Sequence, residues 1–133
     1  MPTRETVLVV DDEIGPRESL RMILSPLYEI HTASDGEEAL RFICDNHVDL
    51  VTLDLNMRGR SGFGVLKAIE DFCSHIGVIV IAGYASLENA KEAIRLGAED
   101  FIQKPFNVSD VIAIVGKSLE RRRSKLNLKH LRV

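Results

Sequence analysis

Tryptophan is absent from this chain of 133 residues, aromatics make up only 5% of it, and cysteine occurs twice. A core without large rings has to be aliphatic, and a hydrophobic fraction of 45% supplies the Val, Ile, Leu and Ala to build one. Cys44 and Cys73 lie far apart and match no metal-binding spacing. Each sits among apolar residues at helical spacing, so two buried, reduced thiols are expected. No apolar run approaches the roughly 20 residues that cross a bilayer. The start, Met1-Pro2-Thr3-Arg4, lacks the apolar stretch of a secretion signal, so a cytoplasmic protein is expected. A strong charge of one sign is missing too. The net charge of -3 is too mild to argue for a membrane or nucleic-acid partner. Basic residues cluster only at Arg121-Arg122-Arg123-Ser124-Lys125, so direct nucleic-acid binding is not expected.

What is present is an alternation of short apolar runs and amphipathic stretches, the pattern of βαβ units on a parallel sheet. Val7-Leu8-Val9-Val10 and Val78-Ile79-Val80-Ile81 are uninterrupted branched runs suited to strands buried on both faces. Leu50-Val51-Thr52-Leu53 is a third such strand and ends in Asp54, and Phe101-Ile102 is a short fifth. Tyr28, Ile30 and Thr32 alternate with Glu29 and His31, as on a half-exposed edge strand. Between them lie helical stripes: Leu20, Ile23, Leu24 and Leu27; Ala39, Leu40 and Ile43; Leu66, Ile69 and Cys73; Ala90, Ala93 and Ile94; and Val108, Val111, Ile112, Val115 and Leu119. Gly97 reads as the stop of the fourth helix. The spacing predicts five β–α repeats over residues 1–120. Beyond them Arg122 and Arg123 occupy the places where the last stripe should continue. Residues 121–133 read as a basic helical extension, the start of a linker, or a frayed end.

In an open parallel sheet, ligands bind beyond the carboxyl ends of the strands, where strand order reverses. Asp11 and Asp12 follow the first strand, Asp54 ends the third, Ala82 follows the fourth and Lys104 follows the fifth. If the order is 2-1-3-4-5, the first and third strands are neighbours and three carboxylates meet at one crevice, with a lysine alongside. Close carboxylates raise one another's pKa. A hard divalent cation such as Mg²⁺, with its preference for oxygen ligands, resolves that conflict and also neutralises an incoming phosphoryl group. An aspartate beside it can act as nucleophile and form an acyl phosphate. Taken singly, Asp11-Asp12-Glu13 could be a solvated helix start and Asp54 a turn cap; together they point to a phosphoryl site.

Val9-Val10-Asp11-Asp12-Glu13, Asp54-Leu55-Asn56-Met57 with Gly62, and Lys104-Pro105-Phe106 resemble, in residues and in spacing, the response-regulator receiver family over about residues 6–120. Gly83-Tyr84 and the Arg-rich end resemble its nitrogen-regulatory type more than its chemotaxis type. The resemblance implies a flavodoxin-like, doubly wound α/β fold with a five-stranded parallel sheet in the order 2-1-3-4-5 and five helices. That order is carried over from the chemotaxis member of the family. It further implies that Asp54 accepts a phosphoryl group from a sensor histidine kinase. Mg²⁺ would be held by the side chains of Asp12 and Asp54, the backbone carbonyl of Asn56, and Asp11 mostly through water. Lys104 would contact the phosphoryl group, and its bond to Pro105 would be cis. Phe101 would be the switch aromatic, and Asn56 and Tyr84 would tune hydrolysis of the acyl phosphate. A signalling domain, not an enzyme, is implied. A homodimer is expected through the last strand and its flanking helices (residues 84–119), and an output domain is a candidate beyond residue 133.

Two departures stand out. Arg58 follows Met57 where many members have proline. Ala82 stands where the family usually has Thr or Ser, whose hydroxyl would bond a phosphoryl oxygen. Ala82 therefore keeps open a pseudo-receiver, a binding module that is not phosphorylated. A phosphatase of the haloacid dehalogenase type needs a second acid two residues after its nucleophile, and Asn56 is not one. His31, His47, His75 and His130 form no ligand set and are expected at the surface.

Overall fold

The computed structural model describes residues 4–57, 62–83 and 87–131. Among them, five strands alternate with five helices: β1 (Thr6–Val10), α1 (Ile14–Leu24), β2 (Glu29–Ala33), α2 (Gly36–Asp45), β3 (Leu50–Asp54), α3 (Gly62–Phe72), β4 (Gly77–Ala82), α4 (Leu87–Arg95), β5 (Asp100–Gln103) and α5 (Val108–Leu131). The strands pair in parallel in the order β2-β1-β3-β4-β5. The three central strands are buried along their whole length, whereas β2 and β5 at the edges are only partly covered. This is why the continuous branched runs fall in the middle of the sheet and the alternating one at its rim.

Strand periodicity divides the core in two. Val7, Val9, Leu50, Ile79 and Ile81 face one side, where they pack on Leu20 and Leu24 of α1 and on Val111, Val115 and Leu119 of α5. Leu8, Val10, Val51, Leu53, Val78 and Val80 face the other, against α2, α3 and α4. Helix ends follow local rules. Asp35 caps α2 by accepting from the Glu38 amide at 2.8 Å, while the Glu38 carboxylate reaches back to the amide and hydroxyl of Ser34. Gly97, at φ +121°, ends α4 as expected, with the Ala98 amide donating to the Ala93 carbonyl and the Gly97 amide to that of Ile94.

Four packing expectations fail for identifiable reasons, one of them Val108, which is exposed because it opens α5 ahead of the buried turn at Val111. Leu27 is exposed because α1 stops at Leu24 and a turn follows. Ile94 is partly exposed because α4 packs through the small residues Ala90 and Ala93, which leave it at the rim. Cys44 is exposed in the last turn of α2, one residue past the buried Ile43; Cys73 is half-buried, and both thiols are free. Helix α5 does not end where its apolar stripe does. Arg122, with its side chain only 12% exposed, donates from Nη1 to Asp49 Oδ1 at 2.9 Å and from Nε to the His75 carbonyl at 3.0 Å. Arg123 pairs with Glu5.

Candidate functional site

Asp11 is the first residue after β1 and continues its ladder, the amide donating to the Ala33 carbonyl at 3.1 Å. Its Oδ1 accepts from the Glu13 amide at 2.9 Å. Asp54, the last residue of β3, is tied in the same way, with Oδ1 accepting from the Asn56 amide at 3.0 Å. Such turns are what aspartate forms readily at a strand end. Each carboxylate thus has one oxygen fixed by its own loop and one turned to its neighbours. Those second oxygens meet at Lys104, whose Nζ lies 3.2 Å from Asp11 Oδ2 and 3.3 Å from Asp54 Oδ2. Lys104 follows β5, on the far side of β4, and its amide donates to the Ala82 carbonyl at 2.8 Å.

Asp11 and Asp54 are 1% and 2% exposed, so their charges are largely out of water. Burial pushes the Asp11 carboxyl up to about 6; the neighbouring Asp54 adds to this, while the Glu13 amide and Lys104 oppose it. For Lys104, burial alone would lower the pKa, but Asp54 and Asp11 outweigh it and the net direction is up. The lysine is therefore firmly charged, and one acid beside it is poised between forms.

Asp12, half-buried, and Glu13, exposed, complete the cluster: with Asp11 and Asp54 they offer carboxylate oxygens that all lie within 4.8 Å of one another. A donor set made only of carboxylate oxygens suits a hard divalent cation. Sequence reasoning gave Glu13 no role, although a third consecutive acid after a strand end was the available signal. Gly62 opens α3 against the backbone of the Asp54 loop. A β-carbon there would come within 2.7 Å of Leu55 Cα and 2.9 Å of the Asp54 carbonyl oxygen, so only glycine fits.

The other expected residues are placed as follows. Asn56 is exposed beside Asp54, and Ala82 is buried at the end of β4. Phe101 is half-buried against the core on the α2–α3–α4 side. The Lys104–Pro105 bond is cis. Tyr84 and Arg58 lie outside the described residues.

A doubly wound sheet with buried acids at the ends of β1 and β3 and a lysine from the end of β5 defines a class of phosphoryl-handling α/β domains. Residues 7–116 match the response regulator receiver domain, and the chain belongs to that family: it is a receiver domain of the two-component signalling type. It is 34% identical to the regulatory protein AtoC of Escherichia coli over 94% of its own length and 27% of that protein's. It is 35% identical to the transcriptional regulatory protein PrrA of Mycobacterium tuberculosis over 92% of its length and 53% of PrrA's. The chain thus spans between about a quarter and a half of these curated relatives. Among solved structures it superposes on NtrX from Brucella abortus with a TM-score of 0.93 and 36% identity, covering 97% of this chain and 30% of that one. For the separately solved receiver domain of NtrX the values are 0.83 and 38%, over 86% of this chain and 98% of that one.

Proposed function

We propose that Asp54 is the phosphoryl acceptor and that a sensor histidine kinase is the donor. The observation that carries this reading is the Asp54 carboxylate itself, which is buried, oriented by the Asn56 amide, and paired with a charged lysine. Its Oδ2 is the nucleophile: it bonds to phosphorus as the bond to the donor breaks, giving an acyl phosphate. Lys104, released from the carboxylate, moves its charge onto a phosphoryl oxygen. Asp12 and Asp54 through their carboxylates, Asn56 through its carbonyl and Asp11 mostly through water would hold Mg²⁺. When bound, the ion supplies charge neutralisation for the phosphoryl group. The domain's own chemistry is limited to taking the group and losing it by hydrolysis, at a rate tuned by Asn56 and Tyr84.

The test is intact-mass spectrometry after incubation with Mg²⁺ and acetyl phosphate. One phosphoryl adduct is expected, lost in Asp54→Asn and in chelator. A folded wild-type protein that takes no label from acetyl phosphate or from a panel of kinases is instead a pseudo-receiver.

Ala82 separates acceptance from read-out. It carries no hydroxyl to draw the end of β4 toward a phosphoryl group and free space for Phe101 to turn. A hydrogen bond to a charged group contributes about 1.5–3 kcal/mol, so the coupling loses about tenfold to a hundredfold. Ala82→Thr should therefore enlarge the phosphorylation-dependent change in spectra or dimerisation; equal changes in the two proteins would sink this reading.

Residues 1–120 are the receiver, and 121–133 are a basic helical extension or the start of a linker to an output domain such as the longer relatives could hold. Exposed Ile94, Leu96 and Val108 support a homodimer through β5 and the helices beside it. No helix among the described residues is long and apolar enough to cross a membrane. A cytoplasmic location belongs to the same proposal.

A further inference from the structure

Helix α1 breaks several local rules at its start. Glu13 holds the N-cap position, yet its side chain caps nothing, and the first turn contains no acidic residue. The Glu13 carboxylate instead joins the acidic cluster. One turn on, where the helix dipole disfavours cations, stands Arg17, whose amide makes the helix's first bond, to the Glu13 carbonyl, at 3.2 Å. Departures of this kind collect where function overrides local preference.

The Arg17 side chain is half-buried and turned back along the chain: its Nη1 donates to the Asp11 backbone carbonyl at 2.9 Å. That carbonyl belongs to the peptide unit joining Asp11 to Asp12. Asp11 is consequently held at three points: its amide by Ala33, its Oδ1 by the Glu13 amide, and its carbonyl by Arg17. The turn to the Glu13 amide closes a ring across the Asp11–Asp12 peptide, and the Arg17 bond adds a tie from α1 on the carbonyl of that same peptide. A guanidinium suits this task because it stays charged at any working pH and offers several donors in a rigid fork.

We infer that Arg17 is a positioning residue for the cation site: it touches neither cation nor phosphoryl group, but orients the peptide that carries two of the proposed ligands. The inference rests on the reading of Asp11, Asp12 and Asp54 as that site. Groups that orient ligands in this way typically contribute about tenfold or more to metal affinity.

The experiment is a Mg²⁺ titration of the wild type, Arg17→Ala and Arg17→Lys, followed by amide NMR shifts of residues 11–13 and run without any phosphodonor. Arg17→Ala is expected to weaken Mg²⁺ about tenfold, with Arg17→Lys recovering most of the loss. In metal-free Arg17→Ala the Glu13 amide should exchange with solvent several-fold faster, at an unchanged melting temperature. An unchanged dissociation constant and unchanged exchange would overturn the inference. So would a weakened affinity that tracks a lower melting temperature and is not recovered by lysine, which marks a merely structural role. If Arg17→Ala does not fold, Arg17→Gln, which keeps a donor without the charge, takes its place under the same criteria. A wild type that binds Mg²⁺ but takes no phosphoryl label contradicts the acceptor reading and leaves the Arg17 result intact.

Discussion

The Lys104 ammonium stands 3.3 Å from the Asp54 carboxylate, and the two come from strands separated by β4. Lys104 also pairs with Asp11, so before any cation arrives it is the positive charge that these two buried acids share. At the proposed cation site, a divalent ion would compete with that charge for the Asp54 carboxylate.

Lys104→Met removes the competitor and the phosphoryl contact together, and the two consequences have opposite signs. Mg²⁺ binding should tighten several-fold. The acetyl-phosphate labelling rate should fall by at least about tenfold, the loss expected when a charged partner of the transferring group is removed. A parallel loss of both would show instead that the lysine is needed to hold the loops in place.

The raised pKa of Asp11 sets a pH dependence with a definite sign. Its carboxyl titrates near 6 in the folded metal-free chain and at the ordinary 3.8 when unfolded. Between those values the folded state binds more protons, so this group's contribution to stability is present at low pH and is lost as pH rises through 6. A shift of about two units corresponds to at most about 3 kcal/mol. Urea unfolding in chelator should therefore show a shallower fall in stability between pH 5 and 7 for Asp11→Asn than for the wild type. If Asp11 faces the proposed cation, protonating it should weaken Mg²⁺ binding, so the affinity should fall as pH drops below 6. Identical pH profiles for the two proteins would contradict the assignment.

Thr52 sits in the middle of β3, fully buried, and its Oγ1 has no hydrogen-bond partner. Strand alternation turns it to the α1–α5 side, where Leu50 lies two residues before it. An unsatisfied buried hydroxyl costs about 1–3 kcal/mol, and valine has nearly the same shape without it. Thr52→Val should raise the urea midpoint by the equivalent of about 1 kcal/mol at an unchanged m-value. A lower midpoint would mean that the hydroxyl has a role in the folded state.

The elements and the acidic crevice were legible in the sequence because both depend on local signals: branched runs, helical stripes and acids placed just after strands. Strand order was not, since parallel strands with helical crossovers leave no trace of who pairs with whom; it came from the resemblance. Leu27, Ile94 and Cys44 were misplaced because periodicity gives a face but not where a helix stops or how wide its contact is. Glu13 and Arg17 were passed over because acids and bases near a helix start are ordinarily solvated, and only the bonds they make set them apart.

Arg122 shows the same limit: its place in the stripe was legible, but its partners were not. A charge in an apolar stripe ordinarily marks the end of packing, and here it continues the packing by other means. Asp49, itself buried, receives the Thr6 amide on Oδ2 at 2.8 Å, and both His47 Nε2 and Arg122 Nη1 on Oδ1 at 2.9 Å. The helix is thereby fastened to the amino-terminal ends of β1 and β3, beyond the last buried leucine. Arg122→Ala deprives a buried carboxylate of its cation and should destabilise the domain by about 1–3 kcal/mol. It should also free residues 120–131, seen as faster amide exchange along that stretch and as quicker tryptic cleavage after Arg121 or Arg123. Exposed Arg121 is the control, and Arg121→Ala should change stability by less than about 0.5 kcal/mol. Equal exchange along 120–131 in Arg122→Ala and in the wild type would mean that the helix holds its course without the clamp.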